Sequence, residues 1–103
     1  MYTAQKDQLA YQRKRALENR NLVARLKNKP CADCQGWFAP YQMDFDHKPG
    51  EDKLECVAIL VSHGAVARKR IYAEIAKCDV VCSNCHRERT HKRRILKVIP
   101  EEL

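Results

Sequence analysis

The residues of this chain that could do chemistry are four cysteines and a short run of acid and imidazole. Cys31 and Cys34 frame CADC, Cys82 and Cys85 frame CSNC, Asp46 and His47 are adjacent in FDHKPG, and His86 directly follows the second cysteine pair. Each C-x-x-C unit brings two thiolates off a tight turn, close enough to chelate one ion. Two such units complete a tetrahedral four-cysteine zinc site with Zn–S distances of about 2.3 Å. A single unit is shared with thiol redox motifs, but two in a chain of 103 residues point to structural zinc. A closed site of four thiolates has no open coordination position and does no chemistry. Its work is to tie residue 31 to residue 82, and structural zinc in small peptides contributes about 10–16 kcal/mol of apparent binding energy. Cys56 and Cys78 fall outside both units and read as small buried apolar side chains.

If zinc joins the two units, Asp46, His47 and His86 are brought near one another. A carboxylate and imidazoles with open positions suit Mg2+, Mn2+ or another divalent ion acting as a Lewis acid. Adjacent side chains on a strand point to opposite faces, so Asp46 and His47 are not expected to bind one ion. The spacing favours Asp46 as ligand and His47 aimed at a water beyond the substrate. The plainer alternative has Asp46 orienting a surface His47 while His86 caps its helix.

The elements that must position these groups follow from periodicity and breakers. Residues 4–28 form a helix without internal Gly or Pro, with a narrow stripe of Leu9, Ala16, Leu17, Val23 and Leu26, and Asn28-Lys29-Pro30 ends it. Residues 31–50 hold the first knuckle and then a short strand or hairpin, with Met43-Asp44-Phe45 alternating before the Pro49-Gly50 turn. Trp37 and Phe38 are expected in the core. Leu54, Val57, Ala58 and Val61 repeat at helical spacing, and His63-Gly64 marks that helix's end, with His63 as a polar cap residue. Residues 68–76 give another helical segment with Ile71, Tyr72 and Ile75 inward. Val80-Val81 is a short strand, and residues 84–97 form a last helix before Pro100.

Composition bounds the function. At 103 residues and 45% hydrophobic, the chain has a modest core that profits from a metal. A formal charge of +7 favours a polyanionic partner, nucleic acid or a membrane surface. No stretch approaches the roughly 20 apolar residues of a membrane span. MYTAQKDQLAYQRKR lacks the apolar core of a signal peptide, so a reducing cytoplasm is the expected compartment, where cysteines serve metal rather than disulfides. Charge is basic over 6–29, mainly acidic over 33–55 and basic again over 87–97. Such flanks suit a protein that holds an anion at its edges and a cation at its middle.

The order CxxC, DH, CxxCH and then a basic helix resembles the HNH endonucleases, specifically the small zinc-containing ββα-metal type often found in phages. The resemblance covers about residues 31–94. It implies an α+β fold: an N-terminal basic helix (1–29) followed by a ββα-metal domain (30–99) clamped by Cys31, Cys34, Cys82 and Cys85 around Zn2+. It also implies a metal-dependent DNA endonuclease. His47 would be the general base, Asp46 and His86 would hold the catalytic divalent ion, and products would carry 5′-phosphate and 3′-hydroxyl ends. Arg87, Arg89, Lys92, Arg93 and Arg94 would contact backbone phosphates, which position a protein without reading sequence. Beyond DNA, family analogy offers a homo-oligomer or phage packaging proteins as partners, in a host cytoplasm.

Two features depart from the family. The asparagine that braces the loop carrying the base lies a few residues before the second knuckle, and Lys77 stands there. Some relatives carry a further ligand one turn after the last histidine, where this chain has Thr90; His91 is rotated away and is kept as a phosphate contact. The segment 48–81 exceeds a minimal member's and has no assigned role. A catalytically inactive, zinc-stabilised nucleic-acid-binding module is the alternative reading, and Lys77 is its main support. A zinc-stabilised module that binds protein through the N-terminal helix is the third, opposed by the basic flanks.

Overall fold

Twenty-five residues without a helix breaker, Tyr2–Leu26, form α1 in the computed structural model, which describes residues 2–62, 64 and 66–98. The helix stops ahead of Pro30, which has no N–H to donate and disfavours helical backbone at Lys29. Only its C-terminal half packs. Leu22 and Val23 are buried, whereas Leu9 and Leu17 of the expected apolar stripe are exposed. The third buried residue is Asn19, whose Nδ2 donates to the carbonyls of Gly64 (3.3 Å) and Val66 (3.0 Å). Those bonds satisfy its Nδ2 donors, whereas its Oδ1 is buried with no hydrogen-bond partner among the described residues.

After the first knuckle a single 3-10 turn, Pro40–Gln42, leads into strand β1, Met43–His47. Lys48-Pro49-Gly50-Glu51 then turns the chain, with Glu51 N donating to Lys48 O at 3.2 Å and Gly50 at φ +85°. Pro at the second and Gly at the third position meet the demands of a type II turn, since the third residue needs φ above zero. Two short helices follow, α2 (Val57–Ser62) and α3 (Arg68–Ile75), then strand β2 (Cys78–Cys82) and helix α4 (Ser83–Val98). β1 and β2 make a two-stranded antiparallel sheet in the register Met43↔Cys82, Phe45↔Val80 and His47↔Cys78. The architecture is therefore α+β, as expected.

The register sorts the site. Asp44, Asp46, Asp79 and Val81 share one face, and α4 lies against it through Arg89, which bonds Asp46 and Asp79. Met43, Phe45, His47, Cys78, Val80 and Cys82 share the other face. One core cluster, Val23, Val57, Leu60, Val61 and Ile71, joins α1, α2 and α3. A second, Cys31, Met43, Val80, Val81 and Cys82, joins the first knuckle to the sheet. Phe45 packs against both. The boundary after residue 29 falls in a loop, and α1 shares its core with the part that follows.

Several expected core positions are corrected. Trp37 is 67% exposed and Phe38 41%. Leu54 precedes α2 and is exposed, Ala58 is exposed, and Tyr72 lies half outside while Ile71 and Glu74 take the inward positions. Cys56 is exposed and Cys78 partly buried. Gly64 has φ +83°, the left-handed backbone that suits a helix end; His63 and Pro100 lie outside the described residues.

Candidate metal and cleft site

The first knuckle is built by backbone bonds that aim amides at sulfur. Cys31 N donates to Gly36 O, Gln35 N to Cys31 O, and Gln35 takes φ 63° to close the turn. Ala32 N donates to Val80 O, fastening the knuckle to β2. Cys31 Sγ then accepts from the amides of Asp33 (3.4 Å), Cys34 (3.5 Å) and Cys82 (3.3 Å), and Cys82 Sγ from the amide of Cys85 (3.5 Å). All four sulfurs of Cys31, Cys34, Cys82 and Cys85 lie within 4.8 Å of one another. Four thiolates about 2.3 Å from one tetrahedral ion stand about 3.8 Å apart, and Cys34 Sγ and Cys82 Sγ are 4.0 Å apart. These cysteines could hold a metal ion such as zinc.

Their protonation agrees. Burial pushes the Cys31 thiol up, but the three amides pointed at its sulfur outweigh this and bring it to about 6. Cys85 is pushed up to about 12, first by its hydrogen bond with Cys82, then by burial and the other thiols. Four thiolates cannot coexist at this distance without a cation, which is what a dication supplies.

The acid and imidazole groups divide across β1. His86 Nδ1 lies 2.9 Å from Asp44 Oδ2, and His86 Nε2 lies 3.6 Å from Asp46 Oδ1. Asp46 is buried and carries most of the local cations. Arg93 donates to its Oδ1 at 3.0 Å and its Oδ2 at 2.8 Å, and Arg89 Nη1 to its Oδ2 at 2.9 Å. Burial alone raises the Asp46 carboxyl, yet the hydrogen bonds from Arg93 and Arg89 hold it down to about 2. Arg89 also binds Asp33 through Nε and Nη2, both at 2.7 Å, and Asp79 at 3.1 Å. These partners, Asp33 foremost, raise its guanidinium further.

Of the five basic residues expected to meet phosphate, Arg89 and Arg93 are thus engaged inside the protein. Arg87, Lys92 and Arg94 are exposed, and Arg93 keeps 44% of its side chain in solvent. Thr90 Oγ1 donates back to His86 O at 3.0 Å. His91, with Arg87 and Arg94, borders a shallow depression beside Asp44 and His86.

His47 faces the other way. Its Nε2 lies 2.6 Å from Glu74 Oε2, on α3. Glu74 is buried, and it also accepts from Leu54 N (3.3 Å) and Lys77 Nζ (3.2 Å). Burial raises this carboxyl, but His47, Lys77 and the Leu54 amide outweigh it and leave it below the usual range. Lys77 Nζ further donates to Asp52 O at 2.8 Å, and Lys48 N donates to Lys77 O at 2.9 Å. The loop after His47 is therefore braced by Lys77, through its ammonium and its backbone carbonyl. The segment 48–81 has at least this role: it delivers Glu74 and Lys77 to the end of β1.

Asp44, Asp46, His47, His86 and Arg93 line a single cleft of about 1030 Å³. Its other wall is α1, with Arg20, Val23 and Ala24, followed by Lys27 just past the helix end, and its far side holds Lys53, Cys56 and Val57. Sequence reasoning missed Asp44, although it is two residues before Asp46 and so on the same strand face. It also missed Glu74, which nothing local distinguishes. Among the described residues no helix is long and apolar enough to cross a membrane. Compared with protein-family models, with curated proteins and with solved structures, the chain matches none of them.

Proposed function

We propose that this chain is a small zinc-containing HNH endonuclease of the ββα-metal type that hydrolyses phosphodiester bonds in DNA. The observation that carries the reading is the shared cleft. Asp46 and His47 leave one strand in opposite directions, yet both line it with His86, between basic side chains of α1, Lys53 and α4. Zinc at the four cysteines is structural. Asp46 and His86 would hold Mg2+ or Mn2+, and that ion, when bound, supplies Lewis acidity toward a phosphate oxygen.

The chain's own groups do the rest. Arg20, Lys27, Lys53 and Arg93 attract the polyanion and set the phosphate between the walls. His47 takes the proton of a water whose oxygen attacks phosphorus. The bond from phosphorus to the 3′-oxygen breaks, and that oxygen takes a proton from solvent, leaving 5′-phosphate and 3′-hydroxyl ends.

A second reading is favoured by one contact. Arg93 and Arg89 saturate Asp46, as they would in a non-catalytic zinc module that only binds nucleic acid. Supercoiled plasmid with added Mg2+ or Mn2+ separates the two. Cleavage by the parent, lost with chelator and in His47→Ala, supports the nuclease. A folded, zinc-loaded parent that binds plasmid and leaves it supercoiled supports the binding module.

A further inference from the structure

We propose that Glu74 is a positioning residue that holds the His47 imidazole as its Nε2–H tautomer and turns Nδ1 toward the cleft. Its catalytic meaning rests on the nuclease reading above; the tautomer itself does not.

The argument begins with what a buried carboxylate can do. Glu74 Oε2 is 2.6 Å from His47 Nε2, and the side chains are 4% and 11% exposed. The carboxyl is also served by the Leu54 amide and the Lys77 ammonium, both donors with no acceptor capacity. Surrounded by donors, and held below the ordinary carboxyl range, Glu74 is ionised at neutral pH and can only accept. The nitrogen facing it must therefore carry the hydrogen. A neutral ring with Nε2–H has its lone pair on Nδ1, and no residue among those described hydrogen-bonds that atom. His47 itself lines the cleft. Lys77 matters because its ammonium keeps Glu74 charged while tying it to the loop carbonyl of Asp52. The order Lys77, Glu74, His47 is a carboxylate–imidazole pair with a cation behind it, and the carboxylate fixes the tautomer as such groups do for metal-ligating and catalytic histidines. Glu74 touches neither substrate nor reacting atoms.

The experiment uses the zinc-loaded full chain with 15N-labelled histidine, without added Mg2+, at about pH 9, where an ordinary imidazole is neutral. The parent should show His47 as one tautomer protonated at Nε2, and Glu74→Gln should show a mixture or the opposite form, because an amide can donate as well as accept. In the cleavage assay the same variant should lose about 10²–10⁴-fold in kcat with KM changed less than about threefold, the cost of a base held in the wrong tautomer. A parent ring protonated at Nδ1 overturns the proposal without any variant having to fold. So does a folded Glu74→Gln that keeps a pure Nε2–H ring. If the parent cleaves no DNA but shows the expected tautomers, Glu74 keeps its positioning role and the nuclease reading alone falls.

Discussion

Arg93 grips Asp46 with both guanidinium nitrogens, at 3.0 and 2.8 Å, on the same carboxylate whose Oδ1 lies 3.6 Å from His86 Nε2. If Asp46 and His86 hold a divalent ion, as proposed, the arginine and that ion would compete for this carboxylate. Arg89 need not move, since it bonds Oδ2 and is anchored by Asp33 and Asp79. Arg93 is nearly half exposed and can swing away, toward solvent or toward a phosphate in the cleft. On the proposed reading, substrate and metal would help each other, since a phosphate that drew Arg93 off Asp46 would free that carboxylate for the ion.

Arg93→Gln tests that competition. Removing a unit charge about 4 Å from a second cation is worth about 1–2 kcal/mol at a half-exposed site, so Mn2+ affinity should rise about tenfold. DNA affinity should fall, with the salt slope reduced by about one. Calorimetric titration with Mn2+ reads the first effect; an unchanged affinity would show that Asp46 is not the ligand.

Zinc removal should be more drastic. The four thiols fasten the first knuckle to β2 and to the start of α4, and the second core cluster includes Cys31 and Cys82 themselves. Metal analysis should find one zinc per chain, and a strong chelator or Cys31→Ser should abolish the cooperative thermal transition. A chelated protein melting at the parent's temperature would end the clamp argument.

Much of this was legible beforehand, for identifiable reasons. The cluster of four cysteines that could hold a metal could be read because a knuckle's spacing is local. The opposed directions of Asp46 and His47 followed from the period of a strand, and the Pro49-Gly50 turn from its residue types. Glu74 could not be read, because its partner lies 27 residues away and only the packing of α3 on the sheet brings them together. The same holds for Arg89, which looks like any basic residue of an exposed helix until three aspartates from β1, β2 and the knuckle converge on it. The stripe on α1 misled because only half of that helix has anything to pack against.

Acid should expose the Asp46 network. Its carboxyl is depressed to about 2 in the folded chain, against about 3.9 when unfolded. A depressed folded value stabilises above the unfolded pKa and stops doing so as pH falls through the folded one. The difference is worth about 2–3 kcal/mol at neutral pH. Asp46→Asn should therefore lower the urea midpoint at pH 7, with a gap that stays constant down to about pH 4 and narrows below it. Comparing the two proteins cancels the zinc loss they share as thiolates protonate. A gap already closing at about pH 6 would assign the effect to another group.

Lys77 should matter to the loop more than to the fold. Lys77→Met removes donors to Asp52 O and Glu74 while keeping the side-chain length. A partly exposed ammonium bond of this kind is worth about 1 kcal/mol. Amide exchange should quicken at residues 51–54, whereas β2 amides, held by the sheet register, should keep their protection. Equal acceleration in the strand and the loop would mean that Lys77 supports the whole domain.

The cleft wall opposite Asp46, His47 and His86 supplies the last test, because α1 lies outside the region that carries the family resemblance. Arg20 of α1 and Lys27, in the turn just past its end, line the cleft from this side. Lys27 Nζ stands 5.6 Å from the centre of the Phe45 ring, a cation–π distance that orients it over β1. If the cleft receives the phosphate backbone, Arg20→Ala with Lys27→Ala should cost two phosphate contacts, with the salt slope of DNA binding lowered by about two. The helix should survive, since alanine is its best former and neither side chain belongs to the buried core. The readout is binding to a duplex across a salt series, with circular dichroism as the check on folding. A slope unchanged from the parent, in a folded variant, would move the DNA off this wall and onto the exposed face of α4, where Arg87, Lys92 and Arg94 stand.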